Sequence, residues 1–305
     1  MKKILIPMVL VSLLLISSAS ASLVGHWAFN ETSGTNAYDS SGNGNNGTLY
    51  NFTDTYWVTG QYGNALKFDG ENDFVNFGND SSLNFSSDFS ITFWVKNYDV
   101  LYDGYPLDKY LSTGGDPEVG IMIYGRTREG SADLEWSIVD VDENSLDGDD
   151  SNIGGNTYDG TWHFVAIVKN STHGITWLDD EHDAVEGSIG DINNIADMII
   201  GAEFNENSET LGGFYNGTLD EFRIYDTALS DEEIGNLYLY NSLEEPLAPP
   251  PQPVTETMED VGAGVGGLLS GMGTPLTVLI ILLGVASAFG FIIATMGQRV
   301  GARNV

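Results

Sequence analysis

The sequence predicts an all-β sandwich of two antiparallel sheets, and three observations carry that prediction. From Leu23 to Tyr225, short runs of β-branched and aromatic residues alternate with clusters of Gly, Asn, Asp and Ser. Within the runs the period is two. In Phe89 to Lys96, for instance, Phe89, Ile91, Phe93 and Val95 share one side and Ser90, Thr92, Trp94 and Lys96 the other, so one sheet face is core and the other at least partly wet. Helical periodicity is scarce until Ser230, which forms a capping box with Glu233 and opens a short helix ending near Tyr240.

The clearest strand runs are Leu23 to Phe29, Ala65 to Phe68, Phe74 to Phe77, Phe89 to Lys96, Gly120 to Tyr124, Leu134 to Val139, Trp162 to Lys169, Ile175 to Leu178, Met198 to Gly201 and Gly217 to Tyr225. In the last run, strict alternation puts Asp220, Phe222 and Ile224 on one face and Glu221, Arg223 and Tyr225 on the other. Phe222 and Ile224 turn the first face inward, and Asp220 goes in with them. The segment Asp140 to Asp150, with Asp140, Asp142, Glu143, Asp147, Asp149 and Asp150, reads as a solvated acidic loop, with a low-affinity cation site as the alternative.

Hydrophobic segments flank this β region. Residues 1–21 combine Lys2 and Lys3, an apolar stretch from Ile4 to Ile16 and the small residues Ala19-Ser-Ala, the pattern of a secretory signal peptide. Residues 22–243 form the ectodomain, and 244–260 a Pro-rich acidic stalk holding five of the nine prolines, extended where polyproline II holds. A Gly-rich apolar segment follows at 261–275 and reads as a flexible tether; the alternatives are a membrane-disturbing segment or an oligomer contact, for which Gly262 with Gly266 and Gly267 with Gly271 have the spacing that lets helices pack closely. Residues 276–296 carry no charge and match the roughly 20 residues of a membrane-spanning helix. Arg299 and Arg303 in the tail, 297–305, orient the chain as a single-pass type I protein, its ectodomain outside a cell or virion.

The ectodomain has 39 acidic residues against 7 basic ones, net −32, which argues against nucleic acid and anionic lipid as partners. Self-repulsion on that scale favours a saline habitat, dense bound calcium or a merely acidic surface as its setting. With no cysteine in an exported chain, disulfides are excluded. Sequons at Asn30, Asn46, Asn51, Asn79, Asn84, Asn170 and Asn216 make it a candidate glycoprotein, and the turns at Asn46 and Asn216 would expose them.

An ordered series of motifs resembles the laminin-G-like domains of the concanavalin A-like lectin/glucanase superfamily. It runs from His26-Trp-Ala-Phe through Asp39-Ser-Ser-Gly-Asn-Gly-Asn-Asn-Gly-Thr-Leu, Ala65-Leu-Lys-Phe-Asp-Gly, Phe89-Ser-Ile-Thr-Phe-Trp-Val-Lys and Thr161-Trp-His-Phe-Val-Ala-Ile-Val to the closing strand and helix. The resemblance implies a concanavalin A-like jelly roll. One departure is Leu178-Asp-Asp-Glu, where the family turns through Asp-Gly; a longer or differently shaped hairpin is expected there. Recognition of a surface glycan or glycoprotein, as in adhesion, is implied by the resemblance alone. Two other readings stay open: a viral envelope spike for receptor binding, with 261–275 assisting fusion, and a structural envelope component.

Asp39, Ser41 and Asn43 offer oxygens at positions 1, 3 and 5 of a loop with Gly44 at position 6, which suits calcium, but Tyr50 at position 12 supplies no carboxylate, so the loop is not an EF-hand. The resemblance implies calcium as the cofactor, with Asp39, Asn43 and Asp220 as ligands and Asp69 as a further candidate. The alternative is that Asp220 accepts backbone hydrogen bonds from the Gly-Asn loop and locks it. No catalytic residue is assigned: the Glu-x-Asp-x-x-Glu string of the glucanases, a Gly-x-Ser-x-Gly nucleophile and a histidine metal motif are all missing, and His163 in Trp-His-Phe is structural. Tyr50, Tyr56, Trp57, Tyr98, Tyr102 and Tyr105 are aromatic loop residues, but no residue is assigned to ligand binding.

Overall fold

Two antiparallel sheets lie face to face. The computed structural model describes residues 21–53, 55–85, 88–98, 104–111, 118–128, 131–149, 156–205 and 210–242, all within the first of two compact units, Met1–Leu243. The expected stalk, apolar segment, membrane helix and tail, and the signal peptide apart from Ala21, lie outside the described residues, as does Tyr102. Among the described residues no helix is long and apolar enough to cross a membrane.

The first sheet runs β14 (Glu181–Glu186), β13 (His173–Leu178), β12 (His163–Lys169), β7 (Phe89–Asn97), β18 (Asn216–Tyr225), β5 (Asn64–Asp69) and β4 (Trp57–Thr59), with β1 (Leu23–Trp27) also paired to β18. The second runs β11 (Ser145–Asp149), β10 (Ser131–Val139), β9 (Val119–Arg128), β8 (Leu107–Leu111), β15 (Ile199–Ile200), β6 (Phe74–Asn76), β3 (Gly47–Tyr50) and β2 (Asn36–Ala37). A separate hairpin joins β16 (Glu203–Asn205) to β17 (Thr210–Gly212). The alternation seen in the sequence fills the space between the sheets: Ile91, Phe93 and Val95 of β7 share a core cluster with Leu219, Phe222 and Ile224 of β18, and with Ile121, Ile123, Trp136 and Ile138 of the second sheet. Each such side chain contributes about 1.5–3 kcal/mol by leaving water.

The outer face of the first sheet is drier than alternation predicts. Ser90, Thr92 and Trp94 are buried because the helix α1 (Asp231–Tyr240) lies over them. Its Ile234 and Leu237 join Trp94, Phe164, Ala166 and Val168 in a second cluster, and Tyr238 stacks on Trp94 with ring centroids 5.8 Å apart. The predicted capping box is present: Ser230 Oγ accepts from Glu233 N and Glu233 Oε2 from Ser230 N.

Strict alternation along β18 fails at Asp220. One edge of β18 pairs with β5 through Asn216–Leu219 and then with β1 through Phe222–Tyr225. At the change of partner the other edge carries a bulge against β7, and Glu221 sits at φ 53°. The extra residue reverses the phase. Leu219 and Phe222 both face the core, while Asp220 lies opposite Trp94 and turns to the outer layer, not inward with Phe222.

Two further expectations change. The acidic segment is not a plain solvated loop, since Ser145–Asp149 is strand β11 and Asp140 is buried. The Asp179-Asp180 hairpin keeps two residues, with Leu178 paired to Glu181 and Asp179 at φ 55°. Its carboxylate accepts from Phe164 N at 2.9 Å and meets His163 Nδ1 at 2.9 Å, bonds to neighbouring β12 that hold a conformation glycine would adopt freely.

Candidate functional site

Register separates the three residues expected to hold calcium. Asp39 lies at the level of His26, Asn43 at Leu23 and Val24, and Asp220 beyond the far end of β1's pairing with β18. Asp39 Oδ1 accepts from His26 N and Ser41 N, and Oδ2 from Ser41 Oγ and Asn45 N, at 2.8–3.0 Å. Burial opposes its charge, but the Ser41 hydroxyl and the three amides outweigh burial and hold the carboxyl below its usual range. Asn43 spends its amide on the carbonyls of Leu23 and Val24. Donors already surround Asp39, so the loop as folded does not fit a calcium ion; Asp39 itself locks it. Among the described residues no group of three or more His, Asp and Glu side chains could hold a metal.

Asp220 locks a different turn. Its Oδ2 accepts from Tyr62 N at 2.8 Å in the turn between β4 and β5, and a Cβ on Gly60 would lie 2.5 Å from the same oxygen. Oδ1 is buried without a hydrogen-bond partner. Burial pushes the carboxyl up to about 7; the Tyr62 amide opposes the shift and the Glu221 charge adds to it. Beside it, Glu221 binds His26 Nε2 at 2.6 Å and Arg223, which reaches Asn241 Oδ1 at 2.7 Å, so the bulge, β1 and the end of α1 are tied by one buried network. Asp69 Oδ1 accepts from Glu71 N and Asn72 N, which makes it a turn residue. Of the sequon residues, Asn30, Asn46, Asn51 and Asn79 are exposed, whereas Asn84, Asn170 and Asn216 are half-buried; the expected exposure at Asn216 is not seen, because it lies at the start of β18 against Gly70.

A groove of about 440 Å³ opens on the second sheet, on the side away from the core. Short strands build it by alternation: Leu49, Val75, Ile200 and Leu107 point into the core, so Tyr50, Phe74 with Asn76, Ile199, and Asp108 with Tyr110 point out. Register sets Tyr50 opposite Phe74, and Ile199 opposite both Asn76 and Asp108. The Tyr50 and Phe74 rings are stacked, 4.8 Å apart and 7° from parallel, and Tyr50 is 45% exposed. Facing residues include Ile195, 77% exposed, and the paired Phe204 and Leu211 of the β16–β17 hairpin.

Polar groups in the groove are fixed before any ligand arrives. Asp108 accepts from Phe204 N at 2.7 Å and Tyr110 N at 3.1 Å, Asn76 Nδ2 donates to Asp197 Oδ2 at 2.8 Å, and Tyr110 Oη donates to Glu118 at 2.8 Å. Burial, then the Glu118 bond, raises the Tyr110 phenol. Beneath them Lys109 donates to Ala196 O, and burial draws its ammonium down to about 8 against the pull of Asp197 and Asp108. The result is an apolar, partly aromatic wall beside a row of acceptors, an arrangement suited to a polyhydroxylated ring. Of these residues the sequence singles out only Tyr50. A strand of four residues such as β3, or two such as β15, is too short for its period to declare which side is groove.

The other aromatic candidates have other duties. Tyr56 and Trp57 pack on the main core and donate to Gly34 O, and Tyr105 leans on Tyr124. His163 bridges Asp159 and Asp179; the Asp179 bond, then Asp159, raises its pKa against burial, as suits a structural clamp.

Solved structures share this fold. The binding domain of Paraclostridial mosquitocidal protein 1 matches with a TM-score of 0.54 at 22% identity, over 71% of this chain and 52% of that one. The receptor-binding domain of botulinum neurotoxin mosaic serotype C/D matches at 0.52 and 17%, over 71% and 50%. The chain thus spans about half the length of these two. Domain 4 of AbnA, a GH43 extracellular arabinanase from Geobacillus stearothermophilus solved with arabinotriose, matches at 0.53 and 18%, over 72% of this chain and 98% of that domain. A comparison with curated proteins finds no match. The family model Laminin_G_3, of the concanavalin A-like lectin/glucanases superfamily, matches residues 69–235, more than half of the sequence and most of both sheets, and the chain belongs to that family.

Proposed function

We propose that this chain is a non-catalytic surface glycoprotein whose lectin-type domain recognises glycans in the groove of the second sheet, with residues 1–21 directing export and 276–296 holding it in a membrane. The observation that carries the reading is the near-parallel Tyr50–Phe74 pair beside the fixed acceptors Asp108 and Asp197, the latter held by Asn76 Nδ2. The arabinotriose complex of the arabinanase domain supports a saccharide ligand on this fold. The acceptors are carboxylates, so the preferred ligands are neutral sugars. Screening the full chain on a glycan array and titrating the best neutral oligosaccharide tests this. Tyr50→Ala and Phe74→Ala are expected to weaken binding about tenfold each, the size of a lost aromatic contact, and EDTA to leave it unchanged. Undiminished binding in both variants, or cleavage of the bound saccharide, would reject the reading.

A further inference from the structure

The few cations of the ectodomain are unevenly spent. Among the described residues Lys109 and Lys169 are buried, Arg223 is buried on Glu221, and Arg126 pairs with Glu135. Exposed Lys67 and half-buried Lys96 have no ion pair among the described residues, in a chain with 44 carboxylate side chains. Yet the two come together. Thr218 of β18 is paired with Lys67 on β5 and with Lys96 on β7, so the three residues form one row across three adjacent strands and share the outer face of the first sheet. At the end of the row Tyr98, 47% exposed, bonds Thr218 Oγ1 through its hydroxyl at 3.0 Å, with Lys67 Nζ and Lys96 Nζ at 5.7 and 5.9 Å from its ring centre.

Contacts of this kind at an exposed site are worth about 0.5–1 kcal/mol each, while two like charges gathered around one ring repel each other. Among the described residues no carboxylate neutralises either lysine. We propose that Lys67, Lys96 and Tyr98, set around Thr218, form a second binding site, on the sheet opposite the groove, for an acidic sugar: a carboxylate or sulfate between the two ammoniums and the sugar ring against Tyr98. The site is independent of the groove. A polyanionic surface such as an acidic membrane would meet the repulsion of the whole domain, whereas one anion on an otherwise neutral saccharide feels mainly the charges within a screening length of about 8 Å at physiological salt.

The test is calorimetric titration of the full chain with four probes at 0.15 M and 1 M NaCl: a glucuronate-terminated tetrasaccharide, its 6-sulfated glucose-terminated and neutral glucose-terminated counterparts, and a capped tetrapeptide with one glutamate. At least one acidic saccharide is expected to bind tenfold or more tightly than the neutral one, and comparison of the two acidic probes identifies the anion. That advantage should shrink at 1 M NaCl, vanish in Lys67→Gln/Lys96→Gln and persist in Tyr50→Ala. Lys67→Gln alone, at an exposed position, should lose part of it without altering the melting temperature, which guards against misfolding of the double variant. No preference for either acidic saccharide, a preference that survives the double variant, or equal binding of the peptide would overturn the proposal.

Discussion

At the residue scale, two aspartates expected to share one ion instead lock two different turns, with opposite electrostatic signatures. Asp220 has its carboxyl raised from an ordinary value of 3.8 to about 7 by burial, so the folded state holds its proton over that interval and the unfolded state does not. Its contribution is therefore complete below about pH 4 and lost as pH rises through 7, a change of about 4 kcal/mol at the stated shift. In Asp220→Asn this dependence disappears: the stability of the variant relative to the parent, from urea melts at pH 4.5 and 7.5, is expected to increase with pH, and a constant difference would refute a buried neutral acid. Asp39 behaves the other way. Its lowered carboxyl stabilises the fold above its ordinary value and ceases to as pH falls through the folded one. Asp39→Ala strands the amides of His26, Ser41 and Asn45 and should cost about 2–3 kcal/mol at pH 7 in the same melts. The sequence shows that both residues are special, because an acid that alternation places on one strand face with Phe222 and Ile224 and an acid opening a Gly-Asn loop each require partners. It conceals which partners, because one bulge residue at Glu221 moves Asp220 to the other face.

At the element scale, what was legible depended on length. The nine residues of β7 and the seven of β12 declare their inward sides through Phe89, Ile91 and Phe93 or through Val165 and Ile167, and the capping box announces α1. Strands of two to five residues that form the groove show no usable period, and β14, Glu-His-Asp-Ala-Val-Glu, is polar because it is an edge. Nor could alternation foresee that α1 would cover the back of β7, which explains why Trp94 is buried on a face expected to be wet. The covering helix is short, so its cap should matter. Ser230→Ala removes the acceptor for Glu233 N and is expected to lower stability by about 1 kcal/mol. Loss of the Trp94–Tyr238 stacking signal in near-ultraviolet circular dichroism before global unfolding would show that α1 detaches first; superimposable transitions would show that helix and sheets unfold as one unit.

At the scale of the whole molecule, charge sets the conditions under which the domain works. With 39 acidic and 7 basic residues in 22–243, and with Arg223 committed to buried Glu221 and Lys109 to a backbone carbonyl, the domain has little local neutralisation at its surface, so repulsion among carboxylates acts at the range the solvent allows. That range is about 10 Å at 0.1 M salt and 3 Å at 1 M. Shortening that range weakens the repulsion, so the melting temperature should climb from about 0.05 to 1 M NaCl. The identity of the cation separates the explanations. If screening is the cause, NaCl and KCl act alike and calcium chloride matches them at equal ionic strength; a jump at millimolar calcium would reveal a bound ion that neither Asp39 nor Asp220 is arranged to hold. The same titration divides the two faces of the molecule. The proposed stacking of a sugar on Tyr50 and Phe74 would depend weakly on ionic strength, whereas the proposed capture of an anion by Lys67 and Lys96 would weaken as the screening length contracts, so neutral-sugar affinity should stay flat over the range in which acidic-sugar affinity falls.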